Sequence, residues 1–158
     1  MRGTNAMNRR EWILTVVGAA LATSAISARR RHVTGESRVT VYKDPGCGCC
    51  RAWVSHLEAN GFAVTAHDRQ DMSALKDSLG IPMALRSCHT AVAGTLLIEG
   101  HVPAADMHKA MAMRSTPLGL AVPGMPSGSP GMEGAHADKY DVIAFDAKGG
   151  TKLFASHG

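Results

Sequence analysis

Three cysteines stand within four positions, Cys47-Gly48-Cys49-Cys50, and a fourth, Cys88, precedes His89. Cys47 and Cys50 have the C-x-x-C spacing of a redox dithiol, while the three together can put two or three thiolates on one soft metal ion. Four cysteines in an exported chain could also be two structural disulfides. Against that, the adjacent Cys49 and Cys50 cannot both face Cys47 without strain. A thiol-disulfide oxidoreductase, with Cys47 attacking as a thiolate at a helix N-terminus, is the alternative enzyme. Cys49 argues against it, because a third thiol inside the motif diverts the exchange yet is useful for bridging metals. Metal binding by Cys47, Cys49, Cys50 and Cys88 is therefore the leading reading.

Softness names the metal. Nine Met and eight His are many for 158 residues, and thioether, imidazole and thiolate together suit copper. Thiolates hold Cu(I), whereas imidazole and water accommodate Cu(II), so a mixed site can take one or more ions in one state and release them in the other. His89 is the best imidazole candidate because Cys88 brings it along. Met125 and Met132, seven apart in a Pro-Gly loop, are candidate thioether ligands or plain lid contacts. Met107 and Met111 share a helical face and are expected in the core. His101 is expected to stand behind the ligands, and His56, His67, His108, His136 and His157 at the surface.

The elements that must position these residues can be read from period and punctuation. Val39 to Lys43 alternates as a β-branched strand and reaches the motif through the turn Asp44-Pro45-Gly46. Cys50, Trp53, Val54 and Leu57 recur at helical spacing up to Asn60-Gly61, so the motif opens a helix. Phe62 to His67 is a second strand, and the crossover makes the pair parallel. A helix Met72 to Leu79 capped by Asp71, a hairpin from Thr90 to Glu99 and a helix opened by Pro103 complete β-α-β-α-β-β-α. That order, with cysteines at the first strand-to-helix turn, is the α/β thioredoxin-like pattern. In it the loop before the third strand lies against the motif, which brings Cys88 and His89 to Cys47–Cys50.

Two stretches stand outside this core. From Pro117 to Gly134 glycine and proline dominate, a composition shared by linkers and binding loops. The strands Tyr140–Phe145 and Thr151–Phe154 follow as a C-terminal hairpin, and a return to order after a long loop favours a lid. At the other end, Arg9-Arg10 precede an apolar run of about 14 residues to Ile26, short of the roughly 20 that span a bilayer. Residues 1–31 thus resemble a twin-arginine export signal, with the triplet Arg29-Arg30-Arg31 leaving room for an uncleaved anchor. Export places the mature domain, residues 39–157, in the periplasm, with no membrane association once the signal is cleaved.

Charge follows the same division. Six of the 17 Lys and Arg and one of the 13 Asp and Glu precede His32, leaving 11 against 12, a net of about −1. The basic balance belongs to the targeting segment, so no nucleic-acid partner is expected. The sequence carries no internal repeat, P-loop or dinucleotide fingerprint.

Five stretches resemble one family. They are Val-Tyr-Lys-Asp-Pro-Gly-Cys-Gly-Cys-Cys (41–50), Ser-Cys-His-Thr-Ala (87–91), Ile-Glu-Gly-His-Val-Pro (98–103), the loop Gly-Leu-Ala-Val-Pro-Gly-Met-Pro-Ser-Gly-Ser-Pro-Gly-Met-Glu (119–133) and the Tyr-Asp-Val strand at 140–142. Together they are similar to the periplasmic copper-resistance family called CopG, unrelated to the plasmid repressor of that name. The likeness covers about Val39 to His157. It implies a thioredoxin-like fold, export, copper binding through cysteines, and copper redox handling alongside periplasmic efflux or chaperone proteins.

Overall fold

The computed structural model describes residues 37–158; the export signal expected at residues 1–31 lies outside them. Strands β1 (Ser37–Lys43), β2 (Phe62–Asp68), β3 (His89–Ala93), β4 (Leu96–Glu99), β5 (Gly119–Ala121), β6 (Tyr140–Phe145) and β7 (Thr151–His157) form one sheet in the order β2-β1-β3-β4-β5-β6-β7. Helices α1 (Gly48–Ala59), α2 (Met72–Ser78) and α3 (Ala104–Met111) complete a mixed α/β fold, with a 3-10 turn at Met83–Leu85. β1 and β2 pair in parallel, as the crossover requires, and β3 runs antiparallel to both β1 and β4. Among the described residues no helix is long and apolar enough to cross a membrane.

The period-2 pattern divides the core into two layers. Ala91 and Ala93 of β3, Leu96 and Ile98 of β4 and Leu120 of β5 face Trp53 and Leu57 of α1 and Ala104, Met107 and Ala110 of α3. On the opposite face Leu97, Ala121 and Phe145 pack with Ile81 and Leu85, which follow α2. β4 is buried along its whole length because both faces are covered. Met107 is core, as expected from its helical face, and Met111 is half-buried beside it.

Strand β5 falls within the stretch whose composition suggested a loop. Gly119 is there for proximity: a Cβ would stand 2.2 Å from Cζ of Phe145. The glycine lets β5 lie under the Phe145 ring between β4 and β6, so a residue that signals flexibility marks a close approach. The rest of the Gly-Pro segment is held by its own hydrogen bonds, including Gly128 N to Met132 O at 2.8 Å and Asp138 N to Ser127 O at 2.8 Å. Ser129 and Pro130 are buried. The linker reading gives way to a docked loop.

Candidate metal centre

Cys47 is the N-cap of α1, and its Sγ accepts from the Cys50 amide at 3.3 Å. Helical spacing then turns Cys50 inward with Trp53 and Leu57, all three fully buried, while Cys47 and Cys49 remain half-exposed at the first turn. Cys47 and Cys50 are joined by a disulfide, with Cα atoms 5.4 Å apart, and Cys49 and Cys88 are free. Cys49 Sγ lies 3.5 Å from Cys47 Sγ. The four sulfurs lie within 4.8 Å of one another, so the expected approach of Cys88 to the motif is met.

Cys88 connects this group to a second one. Its Sγ is 3.3 Å from His89 Nδ1 and 3.2 Å from His101 Nε2, and the three donor atoms lie within 4.8 Å of one another. His101 is the residue that sequence reasoning placed behind the ligands. The β3–β4 register would have found it: Thr90 pairs with Glu99 and Ala93 with Leu96, so continuing the ladder sets Cys88 opposite His101. His101 Nδ1 lies 2.7 Å from the Pro130 carbonyl, an acceptor only, which fixes the proton on Nδ1 and leaves the Nε2 lone pair aimed at Cys88.

His89 is fully buried, its ring 4.3 Å from that of Trp53 and 4.9 Å from that of His101. Trp53 is itself fixed by donating from Nε1 to the Val102 carbonyl at 2.9 Å. Nε2 of His89 has no hydrogen-bond partner among the described residues. Burial, with His101 and the Lys76 ammonium nearby, holds its pKa well below the usual imidazole value, so the ring is neutral and able to ligate. Burial also lowers His101, against the raising effect of its bond to Pro130. Desolvation and the neighbouring Cys49 push the Cys88 thiol up to about 11. It is protonated at neutral pH without a metal, and a bound cation would displace the proton.

A buried ion pair supports this segment from the other face of the sheet. Lys76 of α2 pairs with Glu99 and donates to Thr90 Oγ1 at 2.9 Å; Thr90 donates to Glu99 Oε2 at 2.7 Å. Glu99 Oε1 also accepts from the Ser87 amide at 2.6 Å, so the carboxylate grips the chain one residue before Cys88.

The docked loop closes the near side. Gly131, at φ 84°, comes so near α1 that a Cβ would stand 2.8 Å from the Cys49 carbonyl and from the Trp53 amide. Met132 follows it, half-buried, while Met125 is 42 % exposed in a left-handed conformation at φ 55°. Glu133 accepts from the Gly131 amide at 2.9 Å, and that bond leads the effects that hold its carboxyl below the usual range; the nearby His56 and His101 add to it. His56 is half-buried and accepts from the Ala104 amide at 3.1 Å, which caps α3. His67, His108 and His136 are exposed as expected, and His157 pairs with Asp106 at 2.6 Å.

The donor set fits a soft cation. Metal–sulfur and metal–nitrogen bonds of about 2.3 and 2.0 Å place neighbouring tetrahedral donors about 3.5 Å apart. The Cys88–His89 and Cys88–His101 separations of 3.3 and 3.2 Å need to open by only a few tenths of an ångström. Cys47 and Cys50 join as ligands only when their bond is reduced.

Comparison with known proteins agrees with this chemistry. The family described as a protein of unknown function, DUF411, matches residues 85–132, the stretch that carries Cys88, His89, His101 and the loop to Met132. No curated protein matches the chain. Two solved structures of copper resistance protein CopG superpose well. Form 1 is 47 % identical with a TM-score of 0.74, over 78 % of this chain and 98 % of that one. Form 2 is 48 % identical with a TM-score of 0.73, over 77 % and 98 %. Identity at this level over nearly the whole of the solved chains, on a sheet that gathers four sulfurs and two imidazoles, shows that the chain belongs to the CopG family of copper resistance proteins.

Proposed function

We propose that this is an exported, periplasmic copper-binding protein of copper resistance, which takes copper ions as cargo and exchanges them between Cu(I) and Cu(II). The observation that carries the reading is the convergence of Cys47, Cys49, Cys50 and Cys88 within 4.8 Å, in a chain 47 % identical to a copper resistance protein. His89 and His101 supply imidazole beside the thiolates, and Met132 and Met125 on the loop are the thioether donors. The strand order β2-β1-β3-β4, with the motif between β1 and α1, supports a thioredoxin-like assignment.

The reduced dithiol can supply electrons. Cys47 and Cys50, oxidised together, pass one electron to each of two Cu(II) ions, giving two Cu(I), one disulfide and two released protons. A dithiol reductant must then reopen the bond. Efflux or chaperone proteins of the same compartment are the partners that would supply and accept the copper. The Cys47–Cys50 disulfide at a helix N-terminus, with Cys50 buried and Cys47 half-exposed, favours a second reading as a thiol-disulfide oxidoreductase.

Elemental analysis and X-ray absorption on the reduced protein test the assignment. Bound copper with sulfur scattering, diminished in Cys88→Ser, is expected. Protein that retains no copper but reduces a disulfide substrate catalytically would establish the second reading instead.

A further inference from the structure

The disulfide divides the six cysteine and histidine donors unequally. Closing Cys47–Cys50 removes two thiolates from the motif, yet the group Cys88, His89 and His101 contains neither of them and stays within 4.8 Å. We infer that these three residues form a separable subsite that keeps one copper ion when the dithiol is oxidised. The inference rests on the copper reading above and concerns what happens to the cargo after the electrons have left.

Three features of the chain make the subsite independent of the dithiol. Cys88 and His89 enter on β3 and His101 follows β4, so the β3–β4 hairpin sets the Cys88–His101 spacing. The Pro130 carbonyl holds the proton on His101 Nδ1, which commits Nε2 to the Cys88 side in either redox state. The His89 ring is wedged against Trp53 and His101, which holds its Nδ1 3.3 Å from Cys88 Sγ. One thiolate with two imidazoles is also a donor set that accepts copper in both oxidation states, whereas a purely thiolate site favours Cu(I). Oxidation of Cys47 and Cys50 would thus release the copper bound through them and leave one ion behind, so the protein is not emptied in a single step.

The test compares stoichiometry in two redox states of the full-length mature protein under anaerobic conditions. Cu(I) is supplied with a competing chelator, and Ag(I) serves as a soft cation that leaves the disulfide intact. Peptide mapping of alkylated protein verifies whether Cys47–Cys50 is closed. The oxidised protein should bind one equivalent of either ion, and the reduced protein more than one. Cys88→Ser should abolish the oxidised-state site, and His101→Gln, which keeps a donor for Pro130, should weaken it at least tenfold. Apo melting curves show whether each variant folds. An oxidised protein that binds nothing while the reduced one binds copper overturns the subsite and spares the copper reading. One equivalent retained in Cys88→Ser overturns it as well. No binding in the reduced wild type removes both.

Discussion

His101 faces Cys88 across the mouth of the β3–β4 hairpin, Nε2 to Sγ at 3.2 Å, and holds the Pro130 carbonyl with its other nitrogen. One imidazole therefore joins the thiol that completes the cysteine cluster to the Gly-Pro loop that covers it. The loop's position and the site's geometry are coupled through this ring, and a disturbance on either side should be felt on the other.

Gly131→Ala tests that coupling from the loop. The new methyl would meet the Cys49 carbonyl and Trp53 amide at 2.8 Å, and φ 84° is strained for alanine. Backbone on both sides leaves no flexible neighbour to yield, so a cost of about 1–3 kcal/mol is expected. Limited proteolysis of the apo protein should show faster cleavage between Pro117 and Gly134, and Cu(I) affinity should fall. Unchanged cleavage would mean that the loop does not depend on this approach.

The buried histidines predict acid sensitivity of the apo protein. Burial holds His89 well below its usual value, so below about pH 6.5 the unfolded chain binds a proton that the folded one refuses. Stability present above that pH is then lost as pH falls, with a slope of up to about 1.4 kcal/mol per pH unit from His89 alone. His101 and His56, also lowered by burial, act in the same direction. Thermal melts from pH 7.5 to 5 should descend, and less steeply in His89→Gln. A flat profile would show that His89 takes up a proton in the folded state.

Lys76 and Glu99 separate stability from positioning. Lys76→Met alone leaves the fully buried Glu99 carboxylate without its cation, for which roughly 3–5 kcal/mol is expected. Replacing both, Lys76→Met with Glu99→Leu, should recover much of that, since buried pairs often exchange for apolar residues at little net cost. The double variant still loses the acceptor of the Ser87 amide. Denaturant unfolding should therefore return toward wild type while Cu(I) affinity stays low. Recovery of both would show that Glu99 does not position Cys88.

Much of this arrangement was legible in the sequence because it rests on local signals. Alternation marked β1, helical spacing at Cys50, Trp53 and Leu57 marked α1, and the parallel β1–β2 pair followed from the crossover. What escaped depended on proximity across the chain. Gly119 and Gly131 look like flexibility in composition, and only the Phe145 ring and the α1 backbone reveal why a side chain is excluded. His101 needed the hairpin register carried two residues beyond the last pair. The Cys47–Cys50 bond joins the pair whose C-x-x-C spacing marks a redox dithiol, but spacing alone does not choose between that chemistry and metal binding.

Export is tested at the arginine pair. Replacing Arg9 and Arg10 by lysine keeps the charge but removes the pair that a twin-arginine pathway recognises as an address. The precursor should accumulate in the cytoplasm, as followed by fractionation and immunoblotting. Continued delivery to the periplasm would assign export to the general route.

Cys88→Ser distinguishes a ligand from a structural cysteine. Cys88 is free, and the covalent link in the motif, Cys47–Cys50, closes a loop of only four residues within α1's first turn. In the chain-entropy picture such a short loop contributes roughly 2 kcal/mol, and this substitution leaves it intact. A serine hydroxyl can still meet His89 and His101, so the apo protein should lose about 1 kcal/mol or less. Copper is another matter, because Cys88 belongs to both groups of converging donors, and an alkoxide does not form where a thiolate would. Melting of the apo variant should therefore stay close to that of wild type while copper content and Cu(I) affinity fall together. A loss of several kcal/mol, the roughly 2–5 that follows removal of a structural disulfide, would instead show Cys88 paired in the native protein and return the cysteines to a structural role.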